Sequence, residues 1–135
     1  MMMPNEPIPR KLAAFLHNEI DNTTFRHADH VHVAFEILGR HNFPESLAAF
    51  SRALRSIAAR AGNPGAYHET ITVAFLSLIA ERRAVGKYSN YAAFADANAD
   101  LLDKSVLKRW YAPERLQSDI ARQTFVLPEP TGAPQ

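Results

Sequence analysis

The chain has 135 residues, 47% of them hydrophobic and 21% charged, which predicts one ordered globular domain rather than a disordered chain. Its 15 Lys and Arg against 14 Asp and Glu give a formal net charge of +1, so nucleic acid is not an expected partner. With no Cys, this chain has no disulfide, thiolate metal ligand, iron–sulfur cluster or Cys nucleophile.

Pro4, Pro7 and Pro9 open the chain and Pro128, Pro130 and Pro134 close it. Pro cannot donate to a helix or sheet, so residues 1–9 and 128–135 are expected as tails on a single domain over 10–127. No stretch approaches the ~20 apolar residues of a membrane span. Met1 to Arg10 lacks the apolar run of a secretory signal, and the expected setting is the cytoplasm, with no membrane partner.

Between the tails the apolar spacing is helical. A first helix is predicted over Arg10 to Ile20, with Leu12, Phe15 and Leu16 near one stripe, broken by Asp21, Asn22, Thr23 and Thr24. A second runs from His27 to about Arg40 with Gly39 near its stop. Pro44 suits the first turn of a third, in which Leu47, Phe50, Leu54 and Ile57 repeat at helical spacing as far as Gly62. Asn63-Pro64-Gly65 is a turn, and a fourth helix is predicted from Tyr67 to Arg83, stopped by Gly86. Shorter helices follow over Asn90–Asn98, Lys104–Tyr111 and Pro113–Gln123, and the apolar run Phe125-Val126-Leu127 is expected to fold back on the body. The predicted fold is all-α: a four-helix core with additional short C-terminal helices.

At 100° per residue, His30 falls about 60° and Val31 about 40° from His27, on the same face as Ala34 and Leu38. His32 and Glu36 look outward as an i, i+4 pair. On the fourth helix His68 shares its face with Thr72, Phe75 and Ile79. Three imidazoles on two helices thus point toward a common interior. Burying them is costly unless every ring nitrogen finds a partner.

A divalent transition metal would meet that cost. The sequence therefore predicts a site held by His27, His30 and His68, with Asp29 or Glu69 completing it or orienting the rings and Tyr67 bonding a bound water or substrate. Imidazole with carboxylate suits Zn, Fe, Ni, Cu or Mn alike. Such a site implies a metal-dependent enzyme acting on a small-molecule substrate. Two other readings use the same residues: His27 or His30 as a metal-free general base, and a non-catalytic ligand-binding or interaction module whose buried His form a hydrogen-bond network. Thr70 and Thr72 lie near His68, but there is no G-x-S-x-G elbow.

Phe25-Arg26-His27-Ala28-Asp29-His30-Val31, then Tyr67-His68-Glu69-Thr70-Ile71-Thr72, then Phe125-Val126-Leu127-Pro128, resembles the F-x-H-x-D-H-V, Y-H-E-T-I-T and F-V-L-P signature of a family of small helical bacterial proteins without an assigned activity. The resemblance covers about residues 25 to 128. It implies the residue set His27, Asp29, His30, Tyr67, His68, Glu69 and Thr72. Phe35 and Val73 stand where the family is expected to carry Trp, which puts substrate choice in question. By architecture alone the chain is also similar to DinB-like bundles that hold a metal with three His.

Two basic groups remain: Arg82, Arg83 and Lys87, and Lys104, Lys108, Arg109 and Arg115. They read as solvated faces or as an anion site. Tyr88, Tyr91, Phe94, Trp110 and Tyr111 are expected to pack the small helices onto the bundle. Ala48, Ala49, Ala58 and Ala59 would permit close approach of a second copy, a homodimer.

Overall fold

A computed structural model describes residues 9–21 and 23–130. Asn22 and all but Pro9 and residues 128–130 of the two Pro-rich tails lie outside the described residues. Those described form an all-α fold of seven α-helices and three short 3-10 helices. None of these helices is long and apolar enough to cross a membrane.

Helix α1 (Arg10–Leu16) buries Leu12 and Phe15 and ends a turn earlier than Ile20. Asn18 adopts a left-handed φ of 59°, which its short polar side chain tolerates and a helix does not. The lost helical bonds are replaced from outside, because the Arg60 guanidinium donates to the carbonyls of Asn18 and Ile20.

Helix α2 (His27–Leu38) buries Val31, Val33, Ala34, Phe35 and Ile37. Its end is marked by Gly39, whose backbone is right-handed. A Cβ there would displace the end of the Arg83 guanidinium, which lies 4.6 Å over the Phe35 ring. Helix α3 (Phe43–Arg60) starts where Asn42 Oδ1 accepts the Glu45 N–H at 2.9 Å, with Pro44 in its first turn. Ser46, fully buried in α3, donates toward the Ile37 and His41 carbonyls and so ties α3 to the end of α2.

Helix α4 (Glu69–Gly86) begins two residues later than the sequence suggests, which takes Tyr67 and His68 out of the helix. Its stop is Lys87, left-handed at φ 55°, rather than Gly86; a Cβ on Gly86 would strike the Tyr88 ring. Helix α5 (Tyr91–Ala97) is capped by Asn90. The helix predicted over Lys104–Tyr111 is a 3-10 turn (Lys104–Arg109), preceded by another (Ala99–Leu102). The helix predicted over Pro113–Gln123 is two, α6 (Pro113–Leu116) and α7 (Asp119–Gln123). Ser118 divides them because its hydroxyl accepts the Ala121 N–H and starts a new helix.

Helices α2 and α4 pack against each other and α3 packs against both; α1 rests on α2 and α3, and α7 on α4. Phe15 sits between Phe25 and Phe50, with ring centroids 5.6 and 5.7 Å away. Phe94, fully buried, meets Phe35 and Tyr88 and so fastens α5 to the bundle, while Trp110 is 42% exposed. The last segment does fold back. Thr70 in α4 donates to the Thr124 carbonyl and accepts the Val126 N–H, and Tyr111 donates to the Val126 carbonyl.

A cavity lined by three histidines

Between α2, α3 and α4 lies a cavity of about 430 Å³, within the usual range for small-molecule sites. Val31, Phe50, Leu54, Ile57, Phe75 and Ile79 give it apolar walls. Its polar lining comes from His27, His30, Asn63, Tyr67, His68, Thr72 and Lys104. The structure thus brings the three expected imidazoles to one space, together with Tyr67 and Thr72. It leaves Asp29 and Glu69 outside the lining.

His27, at the first position of α2, bonds through Nε2 to the Leu101 carbonyl at 2.9 Å, and its ring meets Phe75 edge to face. Nε2 is therefore the protonated nitrogen and Nδ1 is left without a hydrogen. His30, one turn on, packs its ring against Phe25 at 4.8 Å and lies 6.5 Å from the His27 ring. Neither of its nitrogens hydrogen-bonds to a described residue. Burial, then the neighbouring His27, pushes its pKa down from 6.5 to about 4, so it is neutral at pH 7. Burial also lowers His27, partly offset by the bond to Leu101.

His68 is the N-cap of α4, not a residue of its inner face. Its backbone is extended (φ −133°, ψ 110°), its Nδ1 accepts the Ile71 N–H at 3.2 Å, and its Nε2 donates to the Leu116 carbonyl at 2.6 Å. The imidazole does here what a cap Ser or Asn does. Thr72 turns its hydroxyl back to the His68 carbonyl at 2.8 Å. Tyr67 donates to Glu69 Oε1 at 2.6 Å, and Arg55 reaches the same oxygen at 3.1 Å while lying 4.4 Å over the Tyr67 ring. Burial and the bond to Glu69 raise the Tyr67 pKa. Asp29 faces the start of α2: one oxygen accepts the Arg26 N–H at 2.8 Å and the other pairs with Lys11 at 2.6 Å. His32 and Glu36 form their expected pair at 3.5 Å, with His32 stacked on Tyr91.

A metal held by three imidazoles needs three free nitrogens that converge. His68 has none to give, since both are bonded to backbone, and His27 has one. The two carboxylates proposed to complete the set are occupied by Lys11, Arg26, Arg55 and Tyr67. The donor set as arranged does not fit a three-histidine metal centre. Among the described residues no other group of His, Asp and Glu is placed to hold a metal ion.

Most of the basic residues have structural partners. Arg82 forms a two-pronged pair with Asp100 at 2.9 and 3.1 Å and also reaches Asn98; Arg109 shares Asp100, and Arg115 donates to the Leu127 carbonyl. Lys104 alone of these groups lines the cavity. Sequence reasoning counted it only as one of a basic cluster. The α3 stripe of Phe50, Leu54 and Ile57 packs with the core and also forms a cavity wall; Ala58, expected on a dimer face, lines the cavity too. The carbonyls of Leu101 and Leu116 carry no side-chain signature, so nothing in the sequence could have marked them as imidazole partners.

The fold and site define a helical bundle enclosing a mainly apolar, histidine-edged cavity. Compared with family models, with curated proteins and with solved structures, the chain matches none.

Proposed function

We propose that this chain is a ligand-binding protein whose cavity takes one small molecule with an apolar body and a polar head. The observation that carries the reading is the cavity itself: six large apolar side chains line a space with a polar edge, where one imidazole has no hydrogen-bond partner among the described residues. The His30 ring is half-buried and lines the cavity, so its free nitrogens can be satisfied by a ligand there. The reading takes up the hydrogen-bond-network alternative over the metal-dependent enzyme, because two of the three imidazoles are already anchored to backbone. General-base catalysis at neutral pH is also disfavoured, since a base works best with a pKa near the operating pH and His30 lies well below it.

The test is ligand titration followed by backbone amide NMR, using neutral apolar probes such as octanol and phenylethanol. Shifts should cluster on α2, α3 and α4 around the cavity. Ala58→Phe, which fills the space, should abolish them while the circular dichroism is unchanged. Shifts scattered over the surface, or binding indifferent to Ala58→Phe, would overturn the reading. Elemental analysis of untagged protein forms the second arm: about one metal per chain, lost in His30→Ala, would restore the metal-dependent reading.

A further inference from the structure

The cavity's polar groups do not balance in charge. Among the described residues that line it there is one cation, Lys104, and no carboxylate. The polar edge nearest Lys104 is built by two elements held together: His27 bonds to the carbonyl of Leu101, three residues before Lys104, and His30 lies one turn along α2. Lys104 itself starts the turn Lys104–Arg109, which Asp103 fixes by accepting the Ser105 N–H at 2.9 Å. The positive charge of Lys104 is felt by both rings and adds to the lowering of their pKa values. The Tyr67 hydroxyl and Arg55 are less available to a charged head, because both are spent on Glu69.

We infer that the occupant is an anionic amphiphile, a small monocarboxylate whose head sits among His27, His30 and Lys104 and whose apolar body fills the space against Phe50, Ile57 and Phe75. This rests on the ligand-binding reading and adds the charge of the head. The chemistry is shared by short fatty acids and by aromatic acids, and body shape distinguishes the two. A carboxylate beside His30 offsets Lys104 and favours the protonated ring. Asp29 already acts on His30 in the same sense from outside the cavity, as Asp103 does on His27. Binding should therefore tighten as pH falls from 7.5 to 5.5, where the ligand is still ionised.

The experiment is calorimetric titration of the full chain with octanoate and phenylacetate, each against its neutral amide, at low salt. The acids should bind at least tenfold more tightly than the amides, and the stronger of the two acids reports whether the body is a chain or a ring. Lys104→Met, at an exposed position, should remove most of that preference, bringing acid and amide to within about threefold of each other. His30→Phe should remove the gain on going to pH 5.5. Acid and amide binding equally, or a preference that survives Lys104→Met, overturns the anionic head while the cavity reading stands. Failure of acids and amides alike overturns both.

Discussion

At the scale of single residues, His30 gives the clearest expectation. Its pKa is held at about 4 in the fold against 6.5 when exposed, so the unfolded chain takes up a proton that the folded chain refuses. Stability is full above pH 6.5 and falls as pH drops toward 4, by roughly 3 kcal/mol for this ring. His27 and His32, both lowered by burial, act in the same direction. Urea midpoints measured from pH 7.5 to 4.5 should fall steadily in the native chain and less steeply in His30→Phe; parallel slopes would show that His30 does not carry the effect. Which ring belongs to the cavity was legible from the 3.6-residue repeat for His27 and His30, both of which lie inside a helix. For His68 the same arithmetic reached the right cavity by the wrong route, because a residue just before a helix has extended backbone and its direction does not follow the helical period.

At the scale of elements, His68 separates two roles that the sequence could not. As the cap of α4 it satisfies the Ile71 N–H and reaches Leu116. His68→Ala should cost about 1–2 kcal/mol through the lost cap, more if the Leu116 carbonyl is left buried and unpaired. His68→Asn, which can still accept from the Ile71 N–H, should recover part of that loss in thermal melts. Equal melting of the two variants would mean that capping is not what His68 contributes. The element boundaries that the sequence placed well are those with their own local signal: Asn42 with Pro44 at the start of α3, and Asn90 at the start of α5. Of those it misplaced, the end of α1 is decided by a partner far along the chain, Arg60, while the start of α4 and the break before α7 are decided by the caps His68 and Ser118.

For the molecule as a whole, the closing strap matters most. Thr70, fully buried, pairs with both Thr124 and Val126, and Tyr111 holds the Val126 carbonyl. Thr70→Val keeps the shape but strands two backbone groups, and should cost about 2–3 kcal/mol in chemical denaturation. Thr70→Ser should be much milder, and truncation after Gln123 should cost at least as much as Thr70→Val. A truncated chain as stable as the full one would show that the strap is not part of the folded unit. What the sequence by itself determined was the all-α class, the four main helices and the inward face of α2, because each follows from the spacing of apolar residues within one segment. Only the tertiary structure decided that His68 spends both nitrogens on backbone, that Asp29 and Glu69 are paired outside the cavity, and that Lys104 joins its lining. Those outcomes depend on carbonyls and charges brought close by packing, and residue order carries no record of such distances.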